Sequence, residues 1–459
     1  MAEPGTAVGG SEAADLPKPP RRPTLVSSAV ATFGTSIGVA ALSLLNVLIV
    51  ARALGPVGRG DIALLTTISY LPAQLFLVGV EQANVNLASS EPEARPALAT
   101  NSIILAVVFG ALAIGAVAGL IAVVPSAGGD TAVPLRWLAL ASIPMLILQT
   151  YLLLLLRADY AFHVANAATL IVPIGNLTVN ALLFALGVIS VATAFATWVG
   201  GQALGTLIMA AYMQRRLAGF GRPDAHLARR AIGFGVKAQA GRIMMLGNYK
   251  VDQWIVGAVA GSRELGLYSI AVAWAESLFQ LPTAIAAVQR PWLVRASATD
   301  SADQTARAFR ITVLATIPLA AGIIAAAPFL CVVIFGEDFR GSIEQLRILT
   351  AGGFGIIALK LFGNALTAQR KPMLETAAIA AAFAVTIVLD ILLIPPHGGL
   401  GAAIASSIAY TAGGVAVILI FTKACKGHAL DLLPGREDVM TLARTVRRRA
   451  ASLRRAEGA

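Results

Sequence analysis

Ile49–Leu65 reads IVARALGPVGRGDIALL, and Ile255–Ala271 reads IVGAVAGSRELGLYSIA. When one is laid on the other, Ile-Val meets Ile-Val, Gly55 meets Gly261 and Gly60 meets Gly266, each pair 206 positions apart. At the same shift Asn46 falls on Asp252, a polar residue inside an apolar stretch in both copies. A second echo closes each half: Asn180-Ala-Leu-Leu-Phe answers Asp390-Ile-Leu-Leu-Ile, and a glycine turn follows both. A duplicated set of membrane helices is a common ground plan of secondary transporters, whose sites lie between the repeats.

The composition agrees with a membrane setting. Hydrophobic residues make up 57% of the chain and charged residues only 13%, against about a quarter in soluble domains; mean hydropathy is +0.77. Apolar runs of roughly 20 residues, long enough to cross the hydrocarbon, recur twelve times. The first six are read at 26–50, 62–87, 98–124, 134–156, 162–187 and 191–214. The second six are read at 231–260, 265–288, 308–335, 346–368, 373–394 and 401–424. The expected fold is therefore all-α and polytopic, with about twelve transmembrane helices in two six-helix repeats.

The expected organisation is a disordered leader (1–25), a six-helix bundle (26–214), a linker (215–230), a second bundle (231–424) and a basic tail (425–459). The leader is polar and carries no cleavable signal pattern, so the first span reads as a signal anchor. Basic residues crowd the loops that alternate with Arg52, Arg59, Arg136, Arg263, Arg340 and Arg347. By the positive-inside rule both ends face the cytoplasm, in a multi-pass plasma-membrane protein with those six arginines outside.

The net charge of +11 comes from these loops and the tail, so no nucleic-acid partner is expected. In the tail, Val439, Leu442, Val446, Ala450 and Leu453 recur at helical spacing among six arginines. They describe an interfacial helix whose partner is anionic membrane lipid. Cys331 and Cys425 fall at opposite ends of their spans, and the four histidines are scattered. No metal, cofactor or disulfide is expected. No loop is long enough for a catalytic domain, and no nucleophile stands with a base, so the chain reads as a non-enzyme.

Several motifs carry a family resemblance. They are Arg52-Ala-Leu-Gly55-Pro56 with Gly58-Arg59-Gly60, Asp252-Gln-Trp-Ile-Val-Gly257, and Leu265-Gly266-Leu-Tyr268-Ser269. Phe335-Gly336-Glu337-Asp338-Phe339 and Ile394-Pro395-Pro396-His397-Gly398-Gly399-Leu400-Gly401 join them. In this order the chain resembles the polysaccharide (lipid-linked oligosaccharide) flippases of the multidrug/oligosaccharidyl-lipid/polysaccharide superfamily. The resemblance implies a MATE-like bundle opening alternately to either side. Its implied cargo is an oligosaccharide on a polyprenyl diphosphate, turned from the inner to the outer leaflet for cell-envelope polysaccharide, with polymerase and glycosyltransferases as partners. One position departs: Asp390 stands where that family more often has asparagine.

Charges inside the spans need a cavity or a partner, because each costs about 2.5–3.5 kcal/mol at the bilayer centre. Arg242, Lys250 and Asp252 share the seventh span, with Lys237 snorkelling at its inner end, and Lys360 lies in the tenth. Arg242, Lys250 and Lys360 are expected to hold the diphosphate. Tyr249 and Gln253 are expected to meet the sugars, helped by Asn248, Trp254 and Trp274. Glu81, Asp252 and Glu276 are the candidates for coupling to protons or sodium. The competing expectation is a sodium- or proton-coupled multidrug or metabolite exporter on the same fold, which would favour an acidic cavity.

Overall fold

The computed structural model describes residues 25–216 and 219–425, with Gly435 and Met440 beyond them. Almost all of the leader and of the expected tail helix therefore lies outside the described residues. Thirteen helices follow one another: α1 (Leu25–Leu75), α2 (Val80–Ser90), α3 (Arg95–Val123), α4 (Val133–Ala158), α5 (Phe162–Ala185), α6 (Val191–Arg216), α7 (Ala225–Val259), α8 (Gly261–Ser277), α9 (Gln280–Arg295), α10 (Ala298–Pro328), α11 (Ser342–Gly352), α12 (Phe354–Ala368) and α13 (Pro372–Cys425). No strand occurs among the described residues.

Nine stretches among the described residues are long and apolar enough to cross a membrane. The one in α1 doubles back at Gly55, where φ is 65°: Val50 and Ile62 pack in a single cluster, whereas a straight helix would separate them by about 18 Å. The one in α13 doubles back at Gly398, where φ is 56°. Gly55 and its repeat mate Gly261 both have positive φ, 65° and 86°, a conformation that glycine alone adopts at no steric cost. α7 is not among the nine, because Arg242, Lys250, Asp252 and Gln253 lower its hydropathy. Counted with it, the path has the twelve crossings expected from the sequence. α7 begins at Ala225, inside the segment read as linker; the Asp224 carboxylate caps it by accepting from the Leu227 N–H at 3.0 Å.

The repeated motifs meet face to face. A Cβ on Gly60 would lie 1.7 Å from the Ser262 carbonyl oxygen, and one on Gly266 would lie 1.9 Å from that of Pro56. Ser262 and Pro56 are themselves repeat mates, so each copy seats its glycine on the other's carbonyl. The contact is a local two-fold built from the duplication. Around it the Ser262 hydroxyl donates to Asp61 at 2.5 Å, and Arg52 donates to the carbonyls of Ile334 at 2.6 Å and Val333 at 2.7 Å.

Toward the other end, α1 gives way to α2 through a break at residues 76–79, four residues after Pro72. The Tyr151 hydroxyl satisfies the Leu77 carbonyl there at 2.8 Å. Gly79 and Gly235 back onto each other, each leaving no room for a Cβ, which draws α2 against α7. Farther out Arg230 pairs with Glu91 at 2.6 Å, both 42% exposed. The Arg230 hydrogen bonds hold the Glu91 carboxyl below its usual 4.5. A depressed acid stabilises the fold above 4.5, and that contribution is lost as pH falls through the lowered value. Because the pair is well solvated, Glu91→Gln is expected to leave thermal unfolding at pH 7 nearly unchanged and to remove only this part of the acid sensitivity. Melting curves of both proteins at pH 7 and pH 4 check it.

Candidate functional site

A cavity of about 510 Å³ lies among α1, α4, α5 and α6. Its lining follows helix periodicity: Val39, Ser43, Asn46 and Val50 on the first arm of α1; Arg59, Ile62, Thr66 and Tyr70 on the second; Thr169, Val172, Asn176 and Asn180 on α5; Ala194, Trp198, Gln202 and Met209 on α6. The fifteen helical steps from Ala194 to Met209 give it a length of roughly 22 Å. Polar and apolar side chains both line it, with Gln149 and Thr150 added from α4. Thr66, Tyr70, Trp198 and Gln202 also line a second space of about 280 Å³, which reaches Lys250 and Gln253 on α7. The two spaces thus share a wall and extend from the first half of the chain to α7.

The residues singled out for the diphosphate are largely paired within the protein. Arg242 binds Glu81 and donates to Gln74 Oε1 at 2.8 Å. Glu81 sits in the first turn of α2, where a helix N-terminus favours an anion. Lys250 lies 3.3 Å from Glu276, and Lys360 stands close enough to Glu276 to feel its charge. One carboxylate therefore serves two lysines, and Asp252 lies within electrostatic reach of Lys250 as well. Tyr249 joins an aromatic group instead of the open cavity, stacked on Phe279 (centroids 6.2 Å) and edge-on to Tyr410 (6.1 Å). Gln253 is buried and lines the space beside Lys250. Trp254 donates to the Ala127 carbonyl at 2.9 Å, Trp274 packs on Phe335, and Asn248 binds Thr386. The Lys237 side chain lies outside the described set.

Asp252 has no cationic contact partner among the described residues. Its carboxylate accepts from the Tyr268 hydroxyl at 2.5 Å and from Ser406 at 3.2 Å. Asp390, wholly buried, stands near enough to interact with it electrostatically, and neither Asp390 oxygen has a hydrogen-bond partner. The first half holds the repeat mates of both residues, and there Asn180 donates to Asn46 at 2.8 Å. One neutral amide can donate to another with no proton or ion between them, and the Asn180 Oδ1 is left without a donor. Two buried carboxylates within electrostatic reach of each other disfavour joint ionisation unless a proton or a cation offsets one of them. The duplicated position thus carries a neutral pair in one half and an acidic pair in the other. Of the three acids expected to couple, Glu81 and Glu276 are bound to cations and Asp252 is not.

Arg59 is the principal residue that sequence reasoning misplaced. It was expected in an external loop, but helix resumes directly after Gly55, which turns its side chain onto the cavity wall. The signal was present: Arg59, Ile62, Thr66 and Tyr70 recur at three- and four-residue spacing, one face of a helix.

The family model described as polysaccharide biosynthesis protein matches residues 49–344, more than half of the chain. No curated protein matches. Among solved structures, an inward-facing multidrug-resistance MATE transporter of the MOP superfamily superposes with a TM-score of 0.67, at 15% identity, over 86% of this chain and 98% of that one. The lipid II flippase MurJ, inward closed, gives 0.63 at 16% identity over 91% and 90%. A MOP-superfamily transporter from Pyrococcus furiosus gives 0.56 at 13% identity over 87% and 95%. The chain belongs to the polysaccharide biosynthesis protein family, and it is a multi-pass membrane protein whose fold is the one seen in these solved transporters.

Proposed function

We propose that the protein is a transporter that flips a polyprenyl-diphosphate-linked oligosaccharide from the inner to the outer leaflet for cell-envelope polysaccharide biosynthesis. The observation that carries this reading is the cavity in the first half of the bundle, lined by amides, hydroxyls and apolar side chains, which shares a wall with the space that reaches Lys250. Its volume is that of a small-ligand site, suited to a short repeat unit and too small for a polymer. The bundles 26–214 and 231–424 open alternately, with the Gly60/Gly266 contact closing one end and the Arg242–Glu81 pair guarding the other. Lys250 and Lys360 neutralise the diphosphate, and Arg242 joins them when the cycle frees it from Glu81. The protein resides in the plasma membrane with both ends cytoplasmic, its tail on anionic lipid, alongside glycosyltransferases and a polymerase.

Exposure of a fluorescent polyprenyl-diphosphate sugar in proteoliposomes tests this. Wild type is expected to speed exposure, and Lys250→Gln with Glu276→Gln, which removes the cation without stranding its acid, is expected to lose that gain. No exposure of any lipid-linked cargo, with uptake of soluble cations instead, would favour the multidrug or metabolite exporter.

Coupling is assigned to the acidic pair Asp252–Asp390, which exchanges a proton or sodium as the lobes move. Asp390→Asn places in the second half the amide that Asn180 supplies in the first. The variant is expected to fold at least as stably as wild type, since it replaces a buried carboxylate that has no hydrogen-bond partner, yet to lose its response to an imposed ion gradient. Melting temperature and exposure rate with and without a gradient check it; an unchanged gradient response removes the coupling role.

A further inference from the structure

Arg59 faces the cavity with no hydrogen bond or ion pair among the described residues, and its Nε is shut from solvent without an acceptor. The wall at its end is otherwise Val50, Ile62 and Ala194, one apolar cluster. A guanidinium held in such a wall without a counter-charge is costly, which points to an anion that arrives from outside. Nearby, the Oδ1 atoms of Asn176 and Asn180 are buried and accept no hydrogen bond. Trp198, stacked on Phe195 with centroids 5.7 Å apart, presents indole to the same space. Unfilled amide acceptors beside an aromatic face suit sugar hydroxyls and sugar C–H faces.

Position separates Arg59 from the cations assigned to the diphosphate. Thr66 and Tyr70, which flank Lys250 across the shared wall, are seven and eleven residues along α1 from Arg59, or roughly 10–16 Å. One diphosphate does not bridge that distance, whereas a short oligosaccharide extending from it does. We infer that the cavity of the first half is the glycan subsite of the cargo and that Arg59 selects an acidic sugar, one bearing a carboxylate, at its far end. This rests on the transport reading above and gives it a substrate class. The planar fork of arginine matches a carboxylate bidentately, while Asn176, Asn180 and Trp198 hold the ring that carries it.

The test is direct binding to the full chain purified in detergent, by calorimetry, with digalacturonate and maltose as probes. Wild type is expected to bind digalacturonate at least about tenfold more tightly than maltose, the factor that one charged hydrogen bond supplies. Arg59→Gln is expected to erase that difference while leaving maltose binding intact, and Arg59→Lys to keep part of it. Equal binding of both sugars by wild type overturns the inference. So does equal weakening of both in Arg59→Gln, or displacement of digalacturonate by inorganic diphosphate, which would make this the diphosphate's own site. If Arg59→Gln does not fold, protection of a Thr169→Cys thiol from maleimide by digalacturonate but not by maltose decides the matter, and equal protection overturns it. Binding is independent of flipping: digalacturonate selectivity in a protein that exposes no lipid-linked cargo would sink the transport reading and spare the subsite. Flipping without selectivity would do the reverse.

Discussion

Gly60→Ala and Gly266→Ala are each expected to part the Gly55 end of the bundle and to slow transport by an order of magnitude or more. At both positions the added methyl would meet backbone, the Ser262 carbonyl at 1.7 Å or the Pro56 carbonyl at 1.9 Å. A carbonyl inside a helix cannot rotate aside as a side chain can, so the helices must separate. Overpacking of this kind costs about 1–3 kcal/mol. The cost falls only on states in which this end is closed, so it shifts the closed-to-open ratio by about 5–150-fold. Leu64→Cys, in a chain with Cys331 and Cys425 replaced by serine, reads the shift. Leu64 is fully buried and lies against Gly129 and Gly257. Its thiol should react with an impermeant maleimide about tenfold faster when Gly60 is alanine. Unchanged labelling together with normal transport would mean that the glycine contact does not close this end.

That contact also shows where sequence reading stops. The equivalence of Gly60 with Gly266 is visible in the sequence because duplication preserves spacing. That the two touch is not, since a repeat gives no axis and no distance. Asn46 and Asp252 stood out as polar residues in apolar runs, and Asn180 and Asp390 as a second matched pair. Their meeting within each half appears only when α1 is packed on α5, and α7 on α13. Glu81 and Arg242 are legible singly as charges that need a reason, but 161 residues separate them, and no local pattern names such a partner. Arg59 went astray for a different cause. Gly55-Pro56 followed by Gly58 and Gly60 reads as an extended loop, whereas only Gly55 leaves helical geometry. Proline at the first turn is tolerated because its missing N–H has no helical partner there.

Arg242→Ala is expected to damage the protein far more than Glu81→Gln, although both break the same ion pair. Glu81 is wholly buried, while the Arg242 side chain is 36% exposed. Loss of the arginine strands a carboxylate with no access to water, which costs about 3–5 kcal/mol for a buried pair broken at one partner. The N-terminus of α2 recovers a small part of this. Loss of the acid instead leaves a guanidinium that still reaches solvent and retains Gln74 at 2.8 Å, a cost nearer about 1 kcal/mol. Melting temperatures in detergent should therefore fall steeply for Arg242→Ala and slightly for Glu81→Gln. The double variant should recover most of the loss, because the stranded charge is gone. A double variant as unstable as Arg242→Ala would place the damage in lost packing of the arginine stem, not in the carboxylate. Transport then separates structure from mechanism. The restored double variant still lacks a cross-bundle latch beside the Gly79–Gly235 contact, and it should flip cargo slowly despite its stability. If it flips at the wild-type rate, the pair serves folding alone, and closure of that end rests on the glycines.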